Sequence, residues 1–166
     1  MILVAVGNAT QGFRRLLDSV EQMANNGLFE GEAVVIQSGN NHDFRSSNCK
    51  QVAFLTMEEF VRTVNEASLV ICHGGAGTLY HAFRASKVPV VMPRRRKYGE
   101  HVDDQLELVR VLAGEGRIIP AYEPIDLPQA IAAARSRIVQ SAVPHIPRML
   151  KLVERAIHEL TMPNSS

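Results

Sequence analysis

The hexapeptide His73-Gly-Gly-Ala-Gly-Thr78 carries the residue types that an anion requires. Glycines at 74, 75 and 77 let backbone N–H groups come close to a phosphate, and a helix starting there adds the positive end of its dipole. The Thr78 hydroxyl offers one more hydrogen bond. A Walker A loop requires GxxxxGK[ST], and no lysine follows these glycines. A dinucleotide loop requires GxGxxG after the first strand; Gly75 and Gly77 supply GxG, but position 80 is tyrosine and the strand before it comes late in the chain. The same glycines also suit a tight strand-to-helix turn that holds no ligand.

Two further segments bear polar groups of this kind. Val6-Gly-Asn-Ala-Thr-Gln-Gly12 leaves an apolar run and enters a helical pattern. Gly7 and Gly12 permit unusual dihedrals there, while Thr10 and Gln11 bring polar atoms to a helix N-terminus; a structural turn with a threonine cap accounts for the segment equally well. Pro93-Arg-Arg-Arg-Lys-Tyr-Gly-Glu-His101 sets four consecutive cations, Arg94 and Arg95 first, at the end of a strand, where they would favour a diphosphate or a carboxylated ligand. A solvated basic loop is the plainer alternative. Asp104 and Gln105 follow, a carboxylate beside an amide, which suits sugar hydroxyls because these both donate and accept.

No pair among His42, His73, His81, His101, His145 and His158 has metal-ligand spacing supported by Cys or Glu, so no metal is expected. There is no GxSxG nucleophile elbow. Cys72 ends a buried strand and reads as core, with its neighbour His73 pointing to the opposite face. The catalytic residues stay unassigned: His73 and His101 are candidates for handling a proton only because histidine titrates near neutrality.

These segments lie on 166 residues, 46% hydrophobic and 21% charged, a size and composition that fit one globular domain with a real core. Lys plus Arg is 18 against Asp plus Glu at 17, a net charge of +1, which argues against a domain built to hold a nucleic-acid backbone. The basic run also lacks interleaved aromatics. No apolar run approaches the ~20 residues of a membrane span, and no basic segment precedes the first apolar stretch. Two cysteines, outside any CxxC pair, make no disulfide framework, so a cytoplasmic address is expected.

Apolar runs alternate with amphipathic stretches throughout. Strands are expected at Met1–Val6, Ala33–Ile36, Val52–Leu55, Leu69–Cys72, Val88–Met92 and Ile118–Ile119. Phe13, Leu16, Leu17, Val20 and Met23 share a helix face, and Gly27 closes that helix. Thr56-Met-Glu-Glu59 is a capping-box pattern that opens a helix running to about Ala67. Further helices are expected at Thr78–Ala85, His101–Gly114, Asp126–Val139 and Ile146–Leu160, and Ser38–Lys50 reads as a polar loop. This alternation predicts an α/β fold, a doubly wound parallel sheet with helices on both faces, which binds ligands where loops leave the carboxyl ends of its strands. One domain over residues 1–162 is expected, with a disordered tail at 163–166.

With the three loops in this order, the sequence resembles the C-terminal, donor-binding half of GT-B glycosyltransferases over nearly its whole length. It is most similar to the group holding the lipid II-forming N-acetylglucosaminyltransferase and the split enzymes of the dolichol pathway and of capsule and exopolysaccharide assembly. His73–Thr78 resembles that group's His-Ala-Gly-Ala-Gly-Thr loop, Thr10-Gln11-Gly12 its Ser-Gln-Gly loop, and Asp104-Gln105 its sugar-reading pair. The stretch PRRRKYGEHVDDQLEL is especially like the exopolysaccharide subunits. The resemblance implies a Rossmann-like half of a GT-B enzyme that holds a UDP-sugar, with Gly74, Gly75, Ala76, Gly77 and Thr78 on the diphosphate and Asp104 and Gln105 on the sugar. Gly7, Thr10, Gln11, His73, Arg94, Arg95 and His101 complete the expected nucleotide-sugar site, and no cofactor is implied beyond the donor itself. Two departures stand out. His81 occupies the place where the group often carries a ribose-reading carboxylate, and Asp104 meets Gln105 directly where the exopolysaccharide motif commonly has a histidine.

A full GT-B enzyme has two such domains, and 166 residues supply one. The resemblance therefore implies the catalytic subunit of a two-component inverting glycosyltransferase, moving a hexose or uronic acid onto a polyprenyl-diphosphate-linked saccharide. Its partner would be a membrane-associated acceptor-binding subunit that recruits it to the inner face of the membrane and brings the lipid-linked acceptor; no nucleic acid is expected. An apolar stripe of Met149, Leu150, Val153, Ile157 and Leu160 suits either that partner or the chain's own sheet. A non-catalytic nucleotide-sugar-binding subunit that regulates or stabilises another glycosyltransferase is the alternative, and a dehydrogenase with a degenerate dinucleotide loop a distant third.

Overall fold

The computed structural model describes residues 1–29 and 31–137; the expected helix at 146–160 and the tail at 163–166 lie outside the described residues. Among the described residues, six parallel strands form one sheet: β1 (Ile2–Ala5), β2 (Val34–Gln37), β3 (Lys50–Val52), β4 (Leu69–His73), β5 (Val90–Met92) and β6 (Ile119–Pro120). Their order is β3-β2-β1-β4-β5-β6, so the chain reverses its direction of travel between β1 and β4. The register sets Ala5 beside both Gln37 and Cys72, and His73 beside Met92, so the strands end together along one edge.

Among the described residues, five helices cover the faces: α1 (Arg14–Asn25), α2 (Met57–Glu66), α3 (Ala76–Arg84), α4 (Leu106–Gly114) and α5 (Leu127–Ser136). Successive strand residues point to opposite faces, which divides the core into two layers. Ile2, Val4, Ile36, Ile71 and Met92 pack against Leu16, Leu17 and Val20 of α1 and Leu127 and Ile131 of α5. Leu3, Ala5, Val70, Cys72 and Val91 pack against Val64 of α2, Leu79 of α3 and Val109 and Leu112 of α4. Helices therefore sit on both faces of a doubly wound sheet, as the sequence predicts.

Several boundaries shift, each with a local cause. The third strand spans Lys50–Val52 rather than Val52–Leu55, because its edge position tolerates an exposed Lys50 and a half-buried Gln51 while Phe54 turns to solvent at 48% exposure. The helix expected from His101 begins at Leu106, since Gln105 gives its N–H to Arg94 O and holds residues 101–105 as a loop. α5 begins at Leu127, after a short 3-10 turn at Pro124–Asp126, and ends at Ser136 rather than Val139. The basic loop is not irregular throughout: Arg96–Tyr98 form a 3-10 turn closed by Gly99 at φ 68°.

Candidate functional site

The loops leaving β1 and β4 flank the point where strand order reverses, the place where open α/β sheets bind ligands. A cavity of about 280 Å³ opens there, lined by Gly7 and Asn8, Gln37, Leu55, Met57, Phe60, His73, Gly75, Gly77, Thr78 and His81. One wall is apolar and belongs to the segment entering α2; the other is polar and made of the glycine-rich turn and the start of α3.

The N-terminus of α3 is open. Gly75 is its N-cap and supplies no side-chain cap, and the first turn carries no acid. The amides of Ala76, Gly77 and Thr78 therefore have no acceptor among the described residues, as the first N–H groups of an uncapped helix must. His73 closes the floor of this turn. Its ring lies between two glycines: a Cβ on Gly7 would stand 2.5 Å from Cε1, and a Cβ on Gly75 would land on Nε2. Gly7 also adopts φ +75°, the left-handed region that glycine enters without strain. Glycine is thus required at both positions for the imidazole to fit. The ring's Nδ1 lies 3.3 Å from Ala5 O. Burial, with the Arg94 charge adding to it, pushes the His73 pKa down to about 4, so the ring is neutral near pH 7 and Nδ1 is the donor in that pair. A neutral imidazole with so low a pKa is a poor proton acceptor.

The first loop is held from below by three buried polar side chains. Gln37 accepts from Gly7 N–H at 3.1 Å and donates to Gly7 O. Asn41 accepts from Phe13 N–H and donates to Ser38 O, both at 2.6 Å. Arg94 donates to Val6 O, Gln11 O, Gly12 O and Glu100 O. With those contacts made, the amides of residues 8–12 have no partner among the described residues. Thr10 stands exposed and Gln11 half-buried. Neither caps α1, whose N-cap is Phe13.

The basic run does not act as one cluster. Arg94 is fully buried, so its expected contact with a donor is corrected: its guanidinium is spent on carbonyls of the surrounding loops. Arg95 lies 2.8 Å from Asp104, and its N–H donates to Glu100. Arg96 is exposed, and Lys97 stands 3.6 Å from Glu123 and over the Tyr98 ring. Glu100 is itself buried and accepts from Arg15 of α1 through both oxygens at 2.9 Å. Asp104, the expected sugar reader, therefore shares its carboxylate with Arg95. Gln105 is better placed. Its Oε1 accepts from Arg94 N–H at 3.1 Å and lies close to Gly74, which fixes the amide so that its NH₂ group faces away from that bond. His101 is half-buried, with Nδ1 3.1 Å from Asp103 N, and adjoins the cavity in neither chain nor lining.

Cys72 is fully buried in the second core layer, and burial pushes its thiol up to about 12, which makes it inert packing. Among the described residues no three His, Cys, Asp or Glu side chains gather into a metal-binding group, and no helix is long and apolar enough to cross a membrane.

Sequence reasoning missed the apolar wall. Leu55, Met57 and Phe60 line the cavity, and Phe60 meets His81 edge-on at 5.8 Å between ring centroids. The signal was the placing of apolar Leu55 and Met57 on either side of the capping residue Thr56, at the mouth of a helix rather than inside a strand.

None of the curated proteins matches this sequence. Among solved structures, the glycotransferase of kitacinnamycin superposes with a TM-score of 0.61 at 15% identity, covering 95% of this chain and 38% of that one. The calicheamicin glycosyltransferase CalG4 gives 0.58 at 20% identity, with 96% and 40% covered, and SnogD from Streptomyces nogalater 0.56 at 17%, with 98% and 40% covered. These likenesses establish the fold, and the chain spans about two-fifths of the length of each of these glycosyltransferases. The profile of the Glycosyltransferase family 28 C-terminal domain matches residues 1–145, and on that match the chain belongs to this family.

Proposed function

We propose that this domain holds the UDP-sugar donor of an inverting glycosyltransferase, with the diphosphate on the α3 N-terminus and the nucleoside in the adjoining cavity. The observation that carries this reading is the uncapped first turn of α3 opening into a cavity with one apolar wall. A base packs against Leu55, Met57 and Phe60, and the ribose meets His81 where related domains often present a carboxylate. The Gln105 NH₂ group donates to a sugar hydroxyl. In the transfer step an acceptor oxygen attacks the anomeric carbon from the face opposite the diphosphate. The bond from carbon to diphosphate oxygen breaks, UDP leaves with the electron pair, and the acceptor proton passes to a base that is not assigned on this chain. The α3 dipole stabilises the charge that builds on the leaving diphosphate.

The matched glycosyltransferases are more than twice as long, so the acceptor site is assigned to another polypeptide segment or subunit. The specific reading is the catalytic component of a two-component exopolysaccharide or capsule enzyme. That component moves a hexose or uronic acid to a polyprenyl-diphosphate-linked saccharide beside a membrane-associated partner. Arg95 is the candidate for a uronate carboxylate, at the cost of its pairing with Asp104. Calorimetric titration of the chain with UDP, UDP-glucuronate, UDP-galactose, UDP-glucose, UDP-N-acetylglucosamine and NAD tests the proposal. Binding of UDP and preference for one UDP-sugar is the expected result. Binding of NAD in preference to every UDP ligand sinks it. Arg95→Ala should weaken a uronate donor more than a neutral one; equal losses assign Arg95 to the diphosphate or to structure.

A further inference from the structure

Arg94 is the largest fully buried side chain in the described part of the molecule, and its placement is unusual for a cation. Charged groups are buried as a rule only when paired. Arg94 makes no ion pair among the described residues. Glu100 attracts it from a distance, but that carboxylate is already taken by both Arg15 contacts and by the Arg95 N–H. The guanidinium instead donates to Val6 O at 2.8 Å, Gln11 O at 2.9 Å, Gly12 O at 3.3 Å and Glu100 O at 2.7 Å. Its Nε has no partner, and its flat face lies 4.7 Å from the Phe13 ring centroid.

Two consequences follow from that geometry. Gln11 O turned down towards Arg94 turns the Gly12 N–H of the same trans peptide outwards. The Val6, Gln11 and Gly12 carbonyls thus face a charge beneath, and the Gly12 N–H is left on the outer side of the loop. That charge is stripped of water, so it is weakly screened and reaches further than a surface arginine would. Its reach is visible within the site: Arg94 adds to burial in holding the neighbouring His73 neutral.

We propose that Arg94 is an electrostatic positioning residue for the donor diphosphate: from under the first loop it orders the loop's carbonyls and supplies positive potential to the anion cradle without touching the ligand. The inference rests on the nucleotide-sugar reading of the same site. It also explains why a chain with a net charge of +1 needs no basic patch around its anion site, since one desolvated cation stands in for several hydrated ones.

The test is calorimetric binding of UDP and of uridine to the full chain, for wild type, Arg94→Met and Arg94→Lys, with the His73 imidazole titrated by NMR in each. Arg94→Met should weaken UDP binding by roughly tenfold and uridine by much less, because only UDP carries the diphosphate charge. The same variant should raise the His73 pKa. Arg94→Lys keeps the charge and loses the fork, so it should restore most of the UDP affinity and the wild-type His73 titration. If Arg94→Met fails to fold, Arg94→Gln keeps donors for the carbonyls without the charge and gives the same comparison. Equal losses of UDP and uridine, with lysine no better than the neutral side chain, overturn the proposal and leave Arg94 a purely structural strut. Wild-type protein that binds neither ligand overturns the nucleotide-sugar reading and this inference with it.

Discussion

Two helices, α2 after β3 and α3 after β4, each begin a few residues beyond a strand end, and their first turns are built in opposite ways. α2 is closed by its own sequence: Thr56 accepts from Glu59 N–H at 3.2 Å, Glu59 accepts from Thr56 N–H at 2.8 Å, and Glu58 and Glu59 set negative charge against the dipole. The capping box holds the Glu59 carboxyl below the usual carboxylate range. α3 has glycine at the cap, no acid in its first turn and no acceptor for its leading amides among the described residues. A cap of the α2 kind is worth about 1 kcal/mol to a protein. A helix that forgoes it beside a cavity keeps its amides for something else. Stability and binding draw on the same backbone groups: α2 commits them to its own cap, and on the proposed reading α3 keeps them for the donor.

The comparison breaks most visibly at Gly75. Gly75→Ala drives a Cβ into the His73 ring, so UDP affinity measured by calorimetry should fall by roughly a hundredfold, with about 1–3 kcal/mol lost in thermal denaturation. Combining it with His73→Ala should return part of both, because the smaller side chain removes the clash. A smaller effect is expected from pH. The His73 pKa is about 4 when folded against the ordinary histidine value of 6.5, so the unfolded chain takes up the proton first. Stability from this group is complete above pH 6.5, declines as pH falls, and is fully lost below about pH 4. Denaturant unfolding should show a contribution of about 2 kcal/mol between pH 7 and pH 5 that disappears in His73→Asn. Thr56→Ala should cost about 1 kcal/mol, read as a Tm drop of about 2–4 °C, and leave UDP affinity within about twofold. If that change weakened UDP as much as it weakened the fold, the two helix ends would not be separate in purpose.

Gly77→Ala should have the smallest effect on the fold and is the sharpest probe. A Cβ there meets nothing within 4 Å, and alanine is the better helix former, so the unliganded protein should gain about 0.5–1 kcal/mol. Gly77 also lines the cavity. Higher Tm with weaker UDP binding would show that glycine is kept there for the ligand and not for the turn.

How much of this was legible in the sequence follows the same division. The doubly wound sheet could be read because its strands are short apolar runs and its helices carry stripes such as Leu16, Leu17, Val20 and Met23, so periodicity reports the core directly. The capping box of α2 was readable for a similar reason: its two partners are three residues apart. The open turn of α3 could be found from its glycines, but what they accommodate could not, since His73 meets Gly7 across two strands. Leu55 of the apolar wall was read as part of a strand, and Met57 and Phe60 only as members of a helix, because an apolar residue facing a cavity and one facing a core look the same in sequence; Met57 is among the exposed large hydrophobic residues of the described chain. Arg94 was taken for a ligand contact because a run of four cations does not disclose that its first member lies under a loop.

The cavity's two walls differ in how they are tied down, and that difference has an evolutionary meaning. The polar side is interlocked: Gln37 holds Gly7, whose backbone leaves just enough room for His73, while Asn41 and Arg94 pin the backbone of the same loop from beneath, so a change at one disturbs the turn the others support. Leu55 and Met57 stand on a partly exposed approach to a helix whose cap is self-sufficient, and Met57 is 66% exposed. Substitutions there can be sampled one at a time without dismantling the cradle. On the proposed reading, a domain made this way exchanges one preferred nucleotide for another without rebuilding the cradle meant for the diphosphate, and a designer who wants a new donor should begin mutating at 55 and 57.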